Sequence, residues 1–134
     1  MVQPYHKKMF QFVHENYPNV RCMLHSCGAI FDLIPELIEA GVDVLNPLQL
    51  SAKGMDPARL KAAYGDKMVF WGGGADLQMF VPNHTVEEIR EHVEGNIRAL
   101  KGTGNYVFTQ VHNFQYDIPP EKICAIYEVA RKYT

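Results

Sequence analysis

One unit recurs along this chain: a short apolar run, a loop, then a helix-patterned segment. VRCML leads through HSCG to a segment with Leu33, Ile34, Leu37 and Ile38 on one side, stopped by Gly41. VDVLN leads to Asp56-Pro57 and a segment through Leu60 and Tyr64 that stops at Gly65. KMVFW leads through GGGADLQ to Val86, Ile89, Val93, Ile97 and Leu100, spaced three and four apart and closed by Gly102 and Gly104. NYVFTQV is the fourth run, and Pro119-Pro120-Glu121 opens a last segment with Ile123, Ile126, Tyr127 and Ala130 inward. Ahead of them, residues 3–16 carry a stripe of Tyr5, Met9, Phe12 and Val13 with a polar back. The pattern predicts one helix followed by four βα units.

Local chemistry supports those boundaries. Asp32 is placed to cap the second helix, whose first turn tolerates Pro35 because no N–H is needed there. Thr85 with Glu88 has the spacing of a capping box, and a glycine at position 41 suits a left-handed helix end. The runs are short, apolar and unalternating, as in parallel strands covered by helices. Four βα units are half of a (β/α)8 barrel, which takes about 250 residues. A doubly wound sheet is the competitor, but it would carry a GxGxxG loop after its first strand, and GGGADL lacks that spacing. The expected fold is α/β, a half-barrel in one domain over residues 1–134.

Composition narrows the function classes. With 47% hydrophobic residues in 134, the chain can bury a core of its own. A net charge of −2 with scattered basic residues offers no track for nucleic acid. No apolar stretch reaches the roughly 20 residues of a spanning helix, and MVQPYHKKMF has no signal-like apolar region. The odd count of three cysteines fits a reducing cytoplasm better than a disulfide framework.

The polar residues then fall into place on one rim. His25 and Cys27 follow the first strand, Asn46 and Gln49 the second, Gly73, Asp76 and Gln78 the third, and His112 and Asn113 the fourth. Parallel sheets and barrels build their sites at these C-terminal strand ends. An isolated H-x-C reads equally well as a ligand pair or as a thiol beside a hydrogen-bonded histidine. With His112 it supplies the three donors of a catalytic zinc site that keeps one position open, and a soft thiolate disfavours magnesium or calcium. Asp76 is the best general acid/base or substrate-orienting carboxylate, and equally a cap. Gly72, Gly73 and Gly74 can let a ligand approach the backbone. Cys22 and Cys124 read as packing residues, Trp71 and the Tyr/Phe residues as core, and His6, His14, His84 and His92 as surface histidines.

HSCGAI, VDVLNPLQ, FWGGGADLQ and VHNFQYDIPPEKI, in this order, resemble the C-terminal half of the uroporphyrinogen decarboxylase superfamily. The similarity runs from about Pro4 to Tyr133. That superfamily includes cobalamin-dependent, zinc-containing methyltransferases that pass a methyl group from a methylcorrinoid to a thiol such as coenzyme M. The resemblance implies zinc held by an H-x-C pair, matched by His25 and Cys27, and by a later cysteine whose place is taken here by His112. It implies a thiol substrate and a corrinoid protein as possible partner. On that rim Asp76 and His112 are the expected catalytic residues, with Asn46, Gln49, Gly73, Gln78 and Asn113 expected to contact the substrate. The decarboxylases of porphyrin biosynthesis lack H-x-C, and their arginine contacts come from an N-terminal half. Half a barrel leaves open edges and an exposed apolar interior. The expected assembly is therefore a homodimer or a complex with a complementary N-terminal half, unless the chain is a fragment of a larger product. Porphyrinogen decarboxylation is the alternative reaction, and a non-catalytic half-barrel fragment or subunit is the alternative from another class.

Overall fold

The computed structural model describes residues 3–102 and 104–133. Helix α1 (Gln3–Asn16) precedes β1 (Met23–His25), α2 (Ile34–Ala40), β2 (Val44–Asn46), α3 (Pro57–Tyr64), β3 (Val69–Trp71), α4 (Val86–Leu100), β4 (Tyr106–Val107) and α5 (Pro120–Ala130). All neighbouring strands are parallel, and their spatial order β1-β2-β3-β4 is their sequence order. Every crossover therefore advances one strand in the same direction, which is barrel winding; a doubly wound sheet would reverse at a switch point. The α/β half-barrel expectation holds.

The register sorts the strands into two faces. Leu24, Leu45, Phe70 and Tyr106 lie side by side across the sheet. This row packs with Phe10 of α1, Ile34 and Ala40 of α2, Leu60 of α3 and Leu100 of α4. Phe70 and Leu45 are wholly buried there, each contributing about 1.5–3 kcal/mol relative to an exposed position. A second cluster joins Ile89, Val93 and Ile97 of α4 to Ile126 and Val129 of α5. One residue further on each strand, the side chains turn to the other face. There Met23 and His25 are exposed, and so is Trp71 at 37%. Among the described residues, nothing pairs with the outer edges of β1 and β4.

The expected end signals are largely realised. Asp56 accepts from the Arg59 N–H at 2.7 Å, and Thr85 and Glu88 form the reciprocal capping box. Gly41 ends α2 at φ 100°, a conformation that favours glycine. Asp32 does not cap α2: it lies in a 3-10 turn, Phe31–Leu33, that supplies the helix entry itself.

Three packing expectations are corrected. The Tyr5, Met9 and Phe12 stripe of α1 does not face the core; these side chains are 73%, 52% and 60% exposed. Phe10 and Val13 are inward instead, because α1 meets the sheet through its contact with α2. Cys22 is buried as expected, whereas Cys124 is exposed on α5. Aromatic burial is likewise mixed, with Tyr116 and Tyr127 exposed along with Trp71.

Candidate functional site at the C-terminal strand ends

His25 is the last residue of β1, and parallel pairing sets it beside Asn46, the last residue of β2. The Asn46 amide N–H2 donates to the Trp71 carbonyl at 3.2 Å, so its Oδ1 is turned to His25 Nδ1, at 2.8 Å. A carbonyl oxygen can only accept, so Nδ1 carries the proton and Nε2 presents its lone pair. That lone pair faces Cys27, whose Sγ lies 3.4 Å away. Both side chains are exposed, so the pair opens toward solvent.

The loop carrying Cys27 is fastened from the next two loops. Gln49 Oε1 accepts from the Gly28 N–H at 2.8 Å, and Gln49 Nε2 donates to Gln78 Oε1 at 3.1 Å. Gln78 is held by Asp76, whose Oδ1 accepts from the N–H groups of Gln78 and Met79 at 2.9 and 3.1 Å. A relay thus runs from the β3 loop to the β1 loop. Asp76, 6% exposed, is the buried polar residue at its root.

His112 and Asn113 lie exposed in the loop after β4. With His25, Asn46, Trp71, Thr109, Gln110 and Val111 they line a cleft of about 470 Å³. Trp71, read from the sequence as core, is a wall of this cleft. The signal that could have found it is the two-residue strand period, which puts it in the row of His25 and Asn46. His112 shares the cleft, but its donor nitrogen is not within 4.8 Å of both His25 and Cys27. Among the described residues, the three-donor group that does close to that distance is His14, Cys22 and Asp43.

The remaining candidates sit apart from the cleft. Asp76 borders a separate cavity of about 440 Å³, with Ser51, Phe80, His84, His92 and Asn96. There Phe80 is sandwiched between His84 and His92, with ring centroids 3.8 and 4.0 Å away. Burial pushes His92 below the ordinary histidine range, with Asp76 opposing and His84 adding to the shift. None of the four histidines read as surface is fully exposed, and His14 is bonded to Asp43. The triple glycine answers to protein rather than to an open approach. A Cβ on Gly73 would stand 3.0 Å from Leu48 Cβ, and one on Gly74 only 2.2 Å from the Phe108 ring.

Comparison with known proteins bears on the family and the fold. The family model described as Uroporphyrinogen decarboxylase (URO-D) matches residues 1–133. No curated protein matches the chain. A solved methyltransferase from Methanosarcina mazei superposes with a TM-score of 0.74 at 14% identity, covering 99% of this chain and 36% of that one. The chain thus spans little more than a third of that protein, and at this identity the likeness is one of fold. Among the described residues, no helix is long and apolar enough to cross a membrane. By the match along almost its whole length, the chain belongs to the uroporphyrinogen decarboxylase family.

Proposed function

We propose that the C-terminal strand ends form a zinc-dependent methyl-transfer site in which His25 and Cys27 hold the metal, His112 turns toward them across the shared cleft to complete the set, and a thiol accepts the methyl group. The observation that carries this reading is the His25–Cys27 contact. Zinc–sulfur and zinc–nitrogen bonds of about 2.3 and 2.0–2.1 Å at a tetrahedral angle separate the two donors by roughly 3.5 Å. Here they stand 3.4 Å apart. The Nδ1 bond to Asn46 is the kind of outer-shell contact that fixes a ligating imidazole in its tautomer. Histidine and thiolate together suit zinc and do not suit magnesium or calcium.

Bound there, zinc would supply Lewis acidity that lowers the pKa of the acceptor thiol. This chain's residues do the placing. Asn46 holds the His25 ring, and Gln49 and Gln78 hold the loop bearing Cys27, so those amides act on substrate through the loop. Asp76 sets the Gln78 turn, and Gly73 lets the β3 loop close on Leu48. Trp71 offers an apolar wall, and Asn113 with Gln110 offers polar contacts to the acceptor. The methyl donor in this reading is a methylcorrinoid, delivered by a corrinoid protein, and a complementary half of the barrel covers the open face.

Porphyrinogen decarboxylation is the second reading, favoured by the family match itself. Against it, no arginine or lysine among the described residues lines the cleft, and a polycarboxylate would want guanidinium partners. Metal analysis of untagged protein separates the two. The methyl-transfer reading expects bound zinc, with one equivalent lost in Cys27→Ala while the fold is kept. Zinc content unchanged by that substitution would sink it.

A further inference from the structure

We propose that His14, Cys22 and Asp43 form a second binding site, structural rather than catalytic, for a divalent transition-metal cation of the zinc or cobalt kind. It lies at the opposite rim of the sheet and does not depend on the methyl-transfer reading. Three elements converge there: His14 lies in the last turn of α1, Cys22 precedes β1, and Asp43 precedes β2. Their donor atoms all lie within 4.8 Å of one another. His14 Nε2 is 2.8 Å from Asp43 Oδ2, a contact that a cation can replace by bridging the two groups.

Nitrogen, sulfur and carboxylate oxygen bind zinc at about 2.0–2.3 Å, which separates tetrahedral donors by roughly 3.3–3.6 Å. The group therefore needs only small side-chain rotations to close. Two of its members are already fixed: the Cys22 N–H donates to Asp43 Oδ2 at 2.7 Å, and the Cys22 side chain is buried in the core. Asp43 itself borders a cleft of about 190 Å³ that Arg21, Asp66, Lys67 and Asn105 also line, so one donor of the group is open to solvent. Arg21 Nη1, 4.0 Å from Asp43 Oδ1, opposes a cation, but its side chain is 70% exposed and can swing into solvent. Filling the site would tie α1 to two strands at once.

The test uses cobalt(II) as the metal and a Cys27→Ser/Cys124→Ser chain, in which Cys22 is the remaining thiol. Both replaced cysteines are exposed, so the fold should survive, and far-ultraviolet circular dichroism checks that it does. The expected result is a thiolate-to-cobalt charge-transfer band saturating at one equivalent. Adding His14→Gln should lower the affinity at least tenfold, and saturating zinc should raise Tm by roughly 5–10 °C. A folded double-serine chain without the band overturns the proposal, and so does an affinity indifferent to His14→Gln. Because Cys27 is absent throughout, neither result bears on the first site.

Discussion

The Asn46 carboxamide oxygen stands 2.8 Å from Nδ1 of His25, and this single contact decides which imidazole nitrogen faces Cys27. Asn46→Leu removes the acceptor and frees the ring to turn or change tautomer. Under the proposed zinc reading, metal affinity should then fall by about 10–100-fold, the usual effect of deleting an outer-shell partner. Asn46→Asp, which keeps an acceptor at the same place, should stay within a few-fold of the parent. Chelator-competition titration reads both variants, and equal affinity in Asn46→Leu would remove Asn46 from the site.

The Phe80 stack makes a prediction about pH. His92 is held below its ordinary 6.5, chiefly by burial. Above that value the ring is neutral in both folded and unfolded chains and makes no difference. As pH falls, the unfolded chain takes up the proton first, so stability is lost on the way down through the folded pKa. Between about pH 7 and 5 the parent should lose more Tm than His92→Gln, whatever their offset at neutral pH. Parallel Tm profiles for the two proteins would show that His92 is not held neutral by the fold.

Glycine positions 74 and 95 should respond to alanine with opposite signs. In Gly74→Ala the new Cβ would meet the Phe108 ring at 2.2 Å, and the ring packs in the second core. Such overpacking costs about 1–3 kcal/mol. Gly95 lies within α4, and a methyl group added there would have nothing within 4 Å of it. Gly95→Ala should therefore stabilise by roughly 0.5–1 kcal/mol through helix propensity. Urea unfolding of the two variants checks the pair; a neutral Gly74→Ala would mean that the loop shifts freely away from Phe108.

The fold was legible because its signals are local. Apolar runs, Asp56, the Thr85–Glu88 box and Gly41 each act within a few residues, and each lies where its chemistry requires. The placing of the candidate residues at one rim was legible for the same reason, since strand ends follow from strand order. What escaped was whatever depends on neighbours far along the chain. The inward face of α1 is chosen by α2, and Trp71 leaves the core because its row faces the open side of the sheet. His14 meets Asp43 across 29 positions, a contact invisible to any helical pattern.

The α1 face carries the last prediction. Tyr5, Met9 and Phe12 are more than half exposed and lie four and three residues apart along α1. Contiguous apolar groups of this kind on a protein surface mark a contact face. A second half seated there would bury them, so Met9→Lys/Phe12→Lys should weaken association at least tenfold, seen by sedimentation velocity as a shift toward the monomer. Neither side chain belongs to a buried core of this chain. Its own unfolding free energy should therefore change by no more than about 0.5 kcal/mol, the usual range for surface positions. That contrast isolates assembly from folding. A parent chain that sediments as a clean monomer at high concentration and gains nothing from an added N-terminal half would remove the assembly reading altogether.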